Sequence, residues 1–361
     1  MRLLLVVAAL LLATPAAAQD RPAWAGVWAG TVGGFPVRLC VDMWDGVPPR
    51  GAYYYLSRLE PISLSDDDGD SAWTEHGTNE SDAEWAFTER TGKRLRGTWR
   101  QGSRSLPFDL TPLAWTEREW GGPCSSAAFL EPRLGKVTDL RLEADEREGL
   151  RYIRQTFVAP AHFGDAVAIE SFTFDPERPG DRAIVAWLEA HLPKGTIEDD
   201  FVDCIGGALA TVGADGMFAE TLAPTMVSRE FLTVEEDSGT YCGGAHPNYY
   251  TIDHTFDRAT GEEIDLFDWI GAARVDGEDS TLAEAVRDLV VARWPADAEA
   301  DCRELAATTD YWTLGLARGG LVFRPDFPHV ATACEEPVTL EWEALSPFLD
   351  AEGKAGLARL K

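Results

Sequence analysis

The sequence is poor in positive charge: its 361 residues hold 32 Lys plus Arg against 61 Asp plus Glu, a formal net charge of −29. No stretch is rich in Lys or Arg without acidic neighbours, so it offers no cationic face for a phosphate backbone, and nucleic acid is excluded as a partner. Long apolar runs are scarce as well. Beyond residues 3–12 no stretch is long and apolar enough to be a membrane span, which takes roughly 20 apolar residues. Histidine is thinly supplied, with six in the chain. The text contains no His-Glu-x-x-His, Gly-x-Ser-x-Gly, P-loop or Gly-x-Gly-x-x-Gly, which removes the easily read zinc-protease, hydrolase-elbow and nucleotide-binding classes. No Cys-x-x-Cys occurs either, which argues against a thiol redox centre or a structural zinc site. No cofactor, metal ligand set or catalytic residue is assigned.

What is present points first to a compartment. Arg2, the apolar run 3–12 and the small residues Ala16-Ala17-Ala18 read as a secretory signal peptide over residues 1–18, with cleavage expected after Ala18 and a periplasmic or secreted product. The six cysteines, Cys40, Cys124, Cys204, Cys242, Cys302 and Cys334, all follow that segment, and an even number in an oxidising compartment reads as three disulfides. They fall two to a segment, which favours 40 with 124, 204 with 242 and 302 with 334.

From residue 22 to 120 the chain reads as strands at 27–32, 36–42, 52–57, 84–88, 94–99 and 106–110. Gly33-Gly34, Asp68-Gly69-Asp70, Thr91-Gly92 and Gln101-Gly102 sit between them as hairpin signals. Without a helical period of useful length, this is an antiparallel barrel or strongly curved sheet. Eight of the 13 Trp fall here, as core filler or, for a subset, as the lining of a ligand site. Gly26-Val27-Trp28 resembles the opening of lipocalin-like barrels, without a ligand carried over. Asp66, Asp68, Gly69, Asp70 and Glu75 follow the spacing of a calcium loop, but Leu64 occupies its first ligand position, so a helix-loop-helix calcium site is excluded. Asn79-Glu80-Ser81 matches a glycosylation sequon.

Residues 121–139 are weakly patterned and read as a linker. A second unit, 140–361, mixes a helix at 181–192, strands at 226–235, 249–257 and 321–324, and a helix at 280–294 whose capped start is read from Ser280, Thr281 and Glu284. Strands with segregated helices make it an α+β domain. His246 and His254 could face the same way if one extended segment held both, with Asp253 or Asp257 beside them.

The most distinctive text is Tyr241-Cys242-Gly243-Gly244-Ala245-His246-Pro247-Asn248-Tyr249, then a strand, then Asp257-Arg258-Ala259-Thr260-Gly261. Gly319-Gly320-Leu321-Val322-Phe323 and the stretch 337–349 agree with it in order. This text resembles the RsiV/PdaC-type extracytoplasmic domain of unknown function over about residues 200–350; Cys242, Cys302 and Cys334 are additions relative to that pattern. The resemblance implies an extracytoplasmic binding module. In the anti-sigma members of the family the domain recognises lysozyme, and in the peptidoglycan deacetylase the chemistry resides in a separate catalytic domain. Tyr241, Gly243, Gly244, Ala245, His246, Pro247, Asn248 and Tyr249 are therefore the expected contact residues, for envelope glycan or a cationic lysozyme-like protein. An envelope hydrolase with an unrecognised site, or a structural part of an envelope complex, are the alternatives.

Overall fold

The computed structural model describes residues 21–43, 48–66, 72–76, 83–118, 122–135, 139–271, 274–275, 279–295 and 300–360. The signal segment, Trp44, Asp68, Gly69, Asp70, the sequon at Asn79 and Trp120 lie outside them.

Alternation of bulky apolar and polar residues builds the first unit. In β7 (Leu95–Gln101), Leu95, Gly97 and Trp99 are buried while Arg96 and Arg100 face out. With β1 (Gly26–Val32), β2 (Phe35–Asp42), β3 (Arg50–Tyr55), β4 (Ile62–Ser65), β5 (Ala72–His76), β6 (Ala83–Arg90) and β8 (Arg104–Leu113), β7 forms a closed antiparallel barrel. β1 completes it by pairing with β8, from Val27↔Leu113 to Val32↔Phe108. Strands β4 and β5 carry no sequence signal strong enough to be read. The inside is filled by Trp28, Trp73, Trp85, Trp99, Tyr53 and Phe108, in tilted and edge contacts such as Tyr53–Trp85 at 5.0 Å and Trp85–Phe108 at 4.7 Å. Each ring buried this way contributes about 2–3 kcal/mol by area, with about 1 kcal/mol more from the aromatic pairing. Glu75, the last residue of the calcium-like spacing, accepts hydrogen bonds from Tyr53 Oη (2.8 Å), Trp99 Nε1 (2.7 Å) and Trp85 Nε1 (3.3 Å). Asp66, from the same spacing, is 6% exposed beside Arg90. Both serve the barrel and neither is a solvated ligand.

The barrel's outer face over β1–β3 is also buried. Val27, Cys40, Ala52 and Tyr54 share a core with Phe129, Leu130 and Leu134 of α1 (Ala127–Leu134) and with Phe201, Val202, Ile205 and Leu209 of α3 (Asp200–Val212). The stretch read as a linker thus contains a buried helix, joined to the barrel by the Cys40–Cys124 disulfide. Pro132 within α1 and the Gly206-Gly207 pair within α3 hide both helices from a propensity reading.

Beyond α1, six strands form one sheet in the order β14-β13-β12-β11-β10-β9. They are β9 (Leu140–Arg147), β10 (Leu150–Phe157), β11 (Val167–Phe174), β12 (Met217–Val227), β13 (Phe231–Tyr241) and β14 (Asn248–Asp257). Only β11 and β12 run parallel, because α2 (Asp181–Ala190) and α3 form the crossover between them. Ile184 and Leu188 of α2 pack on Phe172, Leu222 and Val234 of the sheet. After α4 (Glu284–Ala292) and α5 (Ala300–Thr308), a three-stranded sheet of β17 (Trp312–Ala317), β18 (Gly320–Pro325) and β19 (Val338–Glu341) packs near β14. The two-residue strands β15 (Arg274–Val275) and β16 (Asp279–Ser280), then α6 (Trp342–Leu345) and α7 (Ala351–Leu360), complete the chain. The fold is α+β, a closed barrel followed by a mixed sheet with helices.

Two expectations change. The strand read over 226–235 is the end of β12, a turn, and the start of β13. The turn has no glycine or proline to mark it and is closed by Ser228 Oγ, which accepts from Glu230 N (3.3 Å) and Phe231 N (2.9 Å). Helix α4 starts at Glu284 with Ala283 at its N-cap and no side-chain cap, so the helix begins later than the start read at residue 280. All three expected disulfides are present, Cys40–Cys124, Cys204–Cys242 and Cys302–Cys334. No helix among the described residues is long and apolar enough to cross a membrane.

Candidate functional site

The sheet ends in a hairpin. Strands β13 and β14 stay in register as far as Thr240↔Asn248, and residues 242–247 make the connection. Three contacts hold it. Cys242 is covalently joined to Cys204 on α3. Gly243 has φ +96° and packs so closely on α3 that a Cβ there would lie 1.9 Å from Thr211 Oγ1, which only glycine tolerates. Tyr241 Oη donates to the Gly244 carbonyl at 3.1 Å. Gly244, Ala245, His246 and Asn248 are exposed and Pro247 half-buried, with His246 Nδ1 3.4 Å from the Pro247 carbonyl oxygen. Tyr249, 46% exposed, pairs across the sheet with Gly239. A Cβ on Gly239 would meet the Tyr249 ring at 2.9 Å, so the missing side chain lets the ring lie against the strand as a flat, half-open surface. The eight expected contact residues therefore form one local, stapled surface.

His246 and His254 do not come together. Strand β14 starts only at Asn248, so no single extended segment spans both histidines. His254 is held between two carboxylates, Nε2 to Glu236 at 3.0 Å and Nδ1 to Glu263 at 2.8 Å. Burial pulls its pKa down, but those two charge-assisted bonds outweigh it and push it up to about 9. Asp253 pairs with Arg324 at 3.0 Å and Asp257 with Arg359 at 2.8 Å, so neither accompanies a histidine.

The structure adds a cleft that no sequence motif announces. The C-terminal end of α2 and the start of α3 stand apart over β12, leaving a space of about 440 Å³ with Glu220 and His191 in its lining. Ile169, Phe201 and Phe218 wall it. His191 Nδ1 donates to the Trp187 carbonyl one helical turn back at 2.9 Å. Among the described residues no hydrogen bond or ion pair engages the Glu220 carboxylate. Burial raises its pKa, and the negative charges of Glu236 and Asp200 add to this against the pull of His191. Glu236, on the same sheet face, is held below the usual carboxylate range by His254 and by Tyr250 Oη, which donates to it at 2.7 Å. Glu236 is 8% exposed with both oxygens engaged, so Glu220 alone of the two is open to a ligand. The signal for this cleft lay in the three-residue step from Phe201 back to Glu198 and in the Phe218-x-Glu220 alternation, too common a pattern to single out.

A larger open groove of about 1070 Å³ runs beside β10. Four of the five arginines that line it are engaged already: Arg258 with Asp181, Arg178 and Arg229 with Glu230, and Arg318 with Glu148.

The chain is similar to the solved structure of a DUF3298 family member from Bacteroides fragilis, at 13% identity over 63% of this chain and 100% of that chain, with a TM-score of 0.39. It is also similar to a DUF3298 family protein from Pseudomonas aeruginosa, at 18% identity over 60% of this chain and 97% of that one, with a TM-score of 0.34. No family model and no curated protein matches the chain.

Proposed function

We propose that this is a secreted or periplasmic recognition module, released by cleavage near Ala18, whose contact surface for a basic, lysozyme-like protein is the hairpin 241–249. The observation that carries the reading is the hairpin itself: an exposed turn bearing Tyr249, with its backbone stapled to α3 by Cys204–Cys242. A turn held rigid before binding loses little entropy on contact, and a flat tyrosine is the kind of side chain that anchors interfaces. The net charge of −29 favours encounter with a cationic partner. The resemblance of residues 200–350 to the RsiV/PdaC-type domain supports the same reading.

The test is calorimetric titration of residues 19–361, oxidised, with hen lysozyme and separately with soluble peptidoglycan fragments, at two salt concentrations. The expected result is a saturable heat with lysozyme that weakens with salt and falls about tenfold in affinity for Tyr249→Ala. A heat with the glycan alone would replace the protein partner by envelope glycan. No heat with either would overturn the reading. Hydrolysis of the glycan, lost in His246→Ala with folding intact, would turn it into the hydrolase alternative.

A further inference from the structure

We infer that the cleft between α2 and α3 is a site for a primary alkylammonium group, with Glu220 as its anion and a lysine side chain of the basic partner as its occupant. The inference rests on the recognition reading above for its protein partner and names the chemical group recognised.

The cleft's chemistry selects that group. Glu220 presents a half-buried carboxylate that no hydrogen bond or ion pair engages among the described residues, with His191 nearby as the one positive influence on it, between apolar walls from Ile169, Phe201 and Phe218. An anion would meet Glu220, Asp200 and Glu198 in the lining and the buried Glu236 behind them. A neutral apolar ligand would desolvate the half-buried Glu220 carboxylate further without giving it a hydrogen bond, which is costly. A single positive charge on an aliphatic stem satisfies both parts, its stem along the walls and its donors on Glu220. The indole of Trp187 does not compete for the role, because its ring is already covered by His191 (4.4 Å), His254 (4.9 Å) and Phe256 (4.9 Å). Asp199 is also occupied, accepting from the backbone of Lys194, Gly195 and Thr196, which shapes the rim. The exposed Lys194 on that rim carries the same ammonium group and would act as an internal competitor. The cleft lies close to the hairpin: α3 forms one of its sides and carries the Cys204 staple three residues beyond Phe201.

The probes are 1,5-diaminopentane, Nα-acetyl-lysine N-methylamide and the neutral isostere 1-pentanol, added to the full mature chain while the side-chain resonances of His191 are followed by NMR. Both amines are expected to shift His191 saturably and pentanol to leave it unmoved. Glu220→Gln should weaken amine binding roughly tenfold or more, and Lys194→Ala should tighten it. Asp200→Asn, at an exposed helix position, should weaken it also and serves where the half-buried Glu220 variant does not fold. Equal shifts from pentanol, or amine affinity unchanged in a folded Glu220→Gln protein, would overturn the site. Native lysozyme should move the same resonance and lysine-acetylated lysozyme should not; a shift from the small amines alone would assign the cleft to free amines and strike the protein arm. Tyr249→Ala is expected to leave the amine titration intact, so failure of the hairpin reading is seen separately from failure of the cleft.

Discussion

Two histidines end in opposite electrostatic states. His162, half-buried near Arg133, has its pKa pushed down to about 4, first by burial and then by that guanidinium; His254, between Glu236 and Glu263, has its own pushed up to about 9. With the folded value of His162 below the unfolded 6.5, the unfolded chain binds more protons in between, so its contribution is present above 6.5 and lost as pH falls toward 4. For His254 the folded value lies above the unfolded 6.5, so its contribution is complete below 6.5 and lost as pH rises through about 9. Melting curves of His254→Gln should therefore show a loss of about 2 kcal/mol at pH 6 that disappears above pH 10, by the usual worth of hydrogen bonds to charged groups. His162→Gln should remove part of the acid limb and leave the alkaline one unchanged. Neither state could be read from the sequence, since every carboxylate and guanidinium responsible but one is distant along the chain. Only Glu263 is near, nine residues on from His254.

At the scale of elements, long-range partners hold the ends of helices and hairpins. The start of α2 depends on Asp181, which is fully buried, accepts from Glu177 N and Arg178 N at 2.9 Å, and pairs with Arg258 of the turn after β14 at 2.8 Å. One residue thus closes a helix start and fastens it to the Asp257-Arg258-Ala259-Thr260-Gly261 turn, which gives part of the distinctive sequence text a structural task. The hairpin 241–249 depends in the same way on α3. Replacing Cys204 and Cys242 together by Ser should cost about 2–4 kcal/mol and raise amide hydrogen exchange selectively over 241–249, with the barrel amides unchanged. Uniform faster exchange across the whole chain would show that the bond supports the fold generally and not the hairpin. Strands β1, β2, β6, β7 and β14 were legible because each is rich in aromatic and β-branched residues. Strands β4 and β5 are four and five residues long, and α3 carries two central glycines, so local pattern was too weak to reveal them.

At the scale of the whole molecule, one buried arginine ties the barrel to the sheet. Arg133 on α1 is wholly buried, donates Nε to the Leu59 carbonyl of the barrel at 2.9 Å, and makes a two-pronged pair with Asp215, between α3 and β12, at 2.6 and 2.7 Å. Arg133→Ala leaves Asp215 without its partner, and a loss of about 3–5 kcal/mol is expected, with the single thermal transition splitting toward separate barrel and sheet steps in calorimetry. A single unshifted transition would show that the shared apolar core joins them without this pair. The sequence by itself determined the class of structure and its crosslinks: an antiparallel barrel-like unit, a mixed α+β unit and three disulfides, because strand period and the placing of cysteines two to a segment are local properties of the chain. It also singled out the 241–249 text. The tertiary structure alone decided that residues 121–139 contain part of a common core, that His246 and His254 stand apart, and that Glu220 and His191 line one cleft. Those outcomes depend on which distant residues meet across β12, α2 and α3, and burial, ion pairing and cavity shape are set by that meeting and not by the neighbours in the chain.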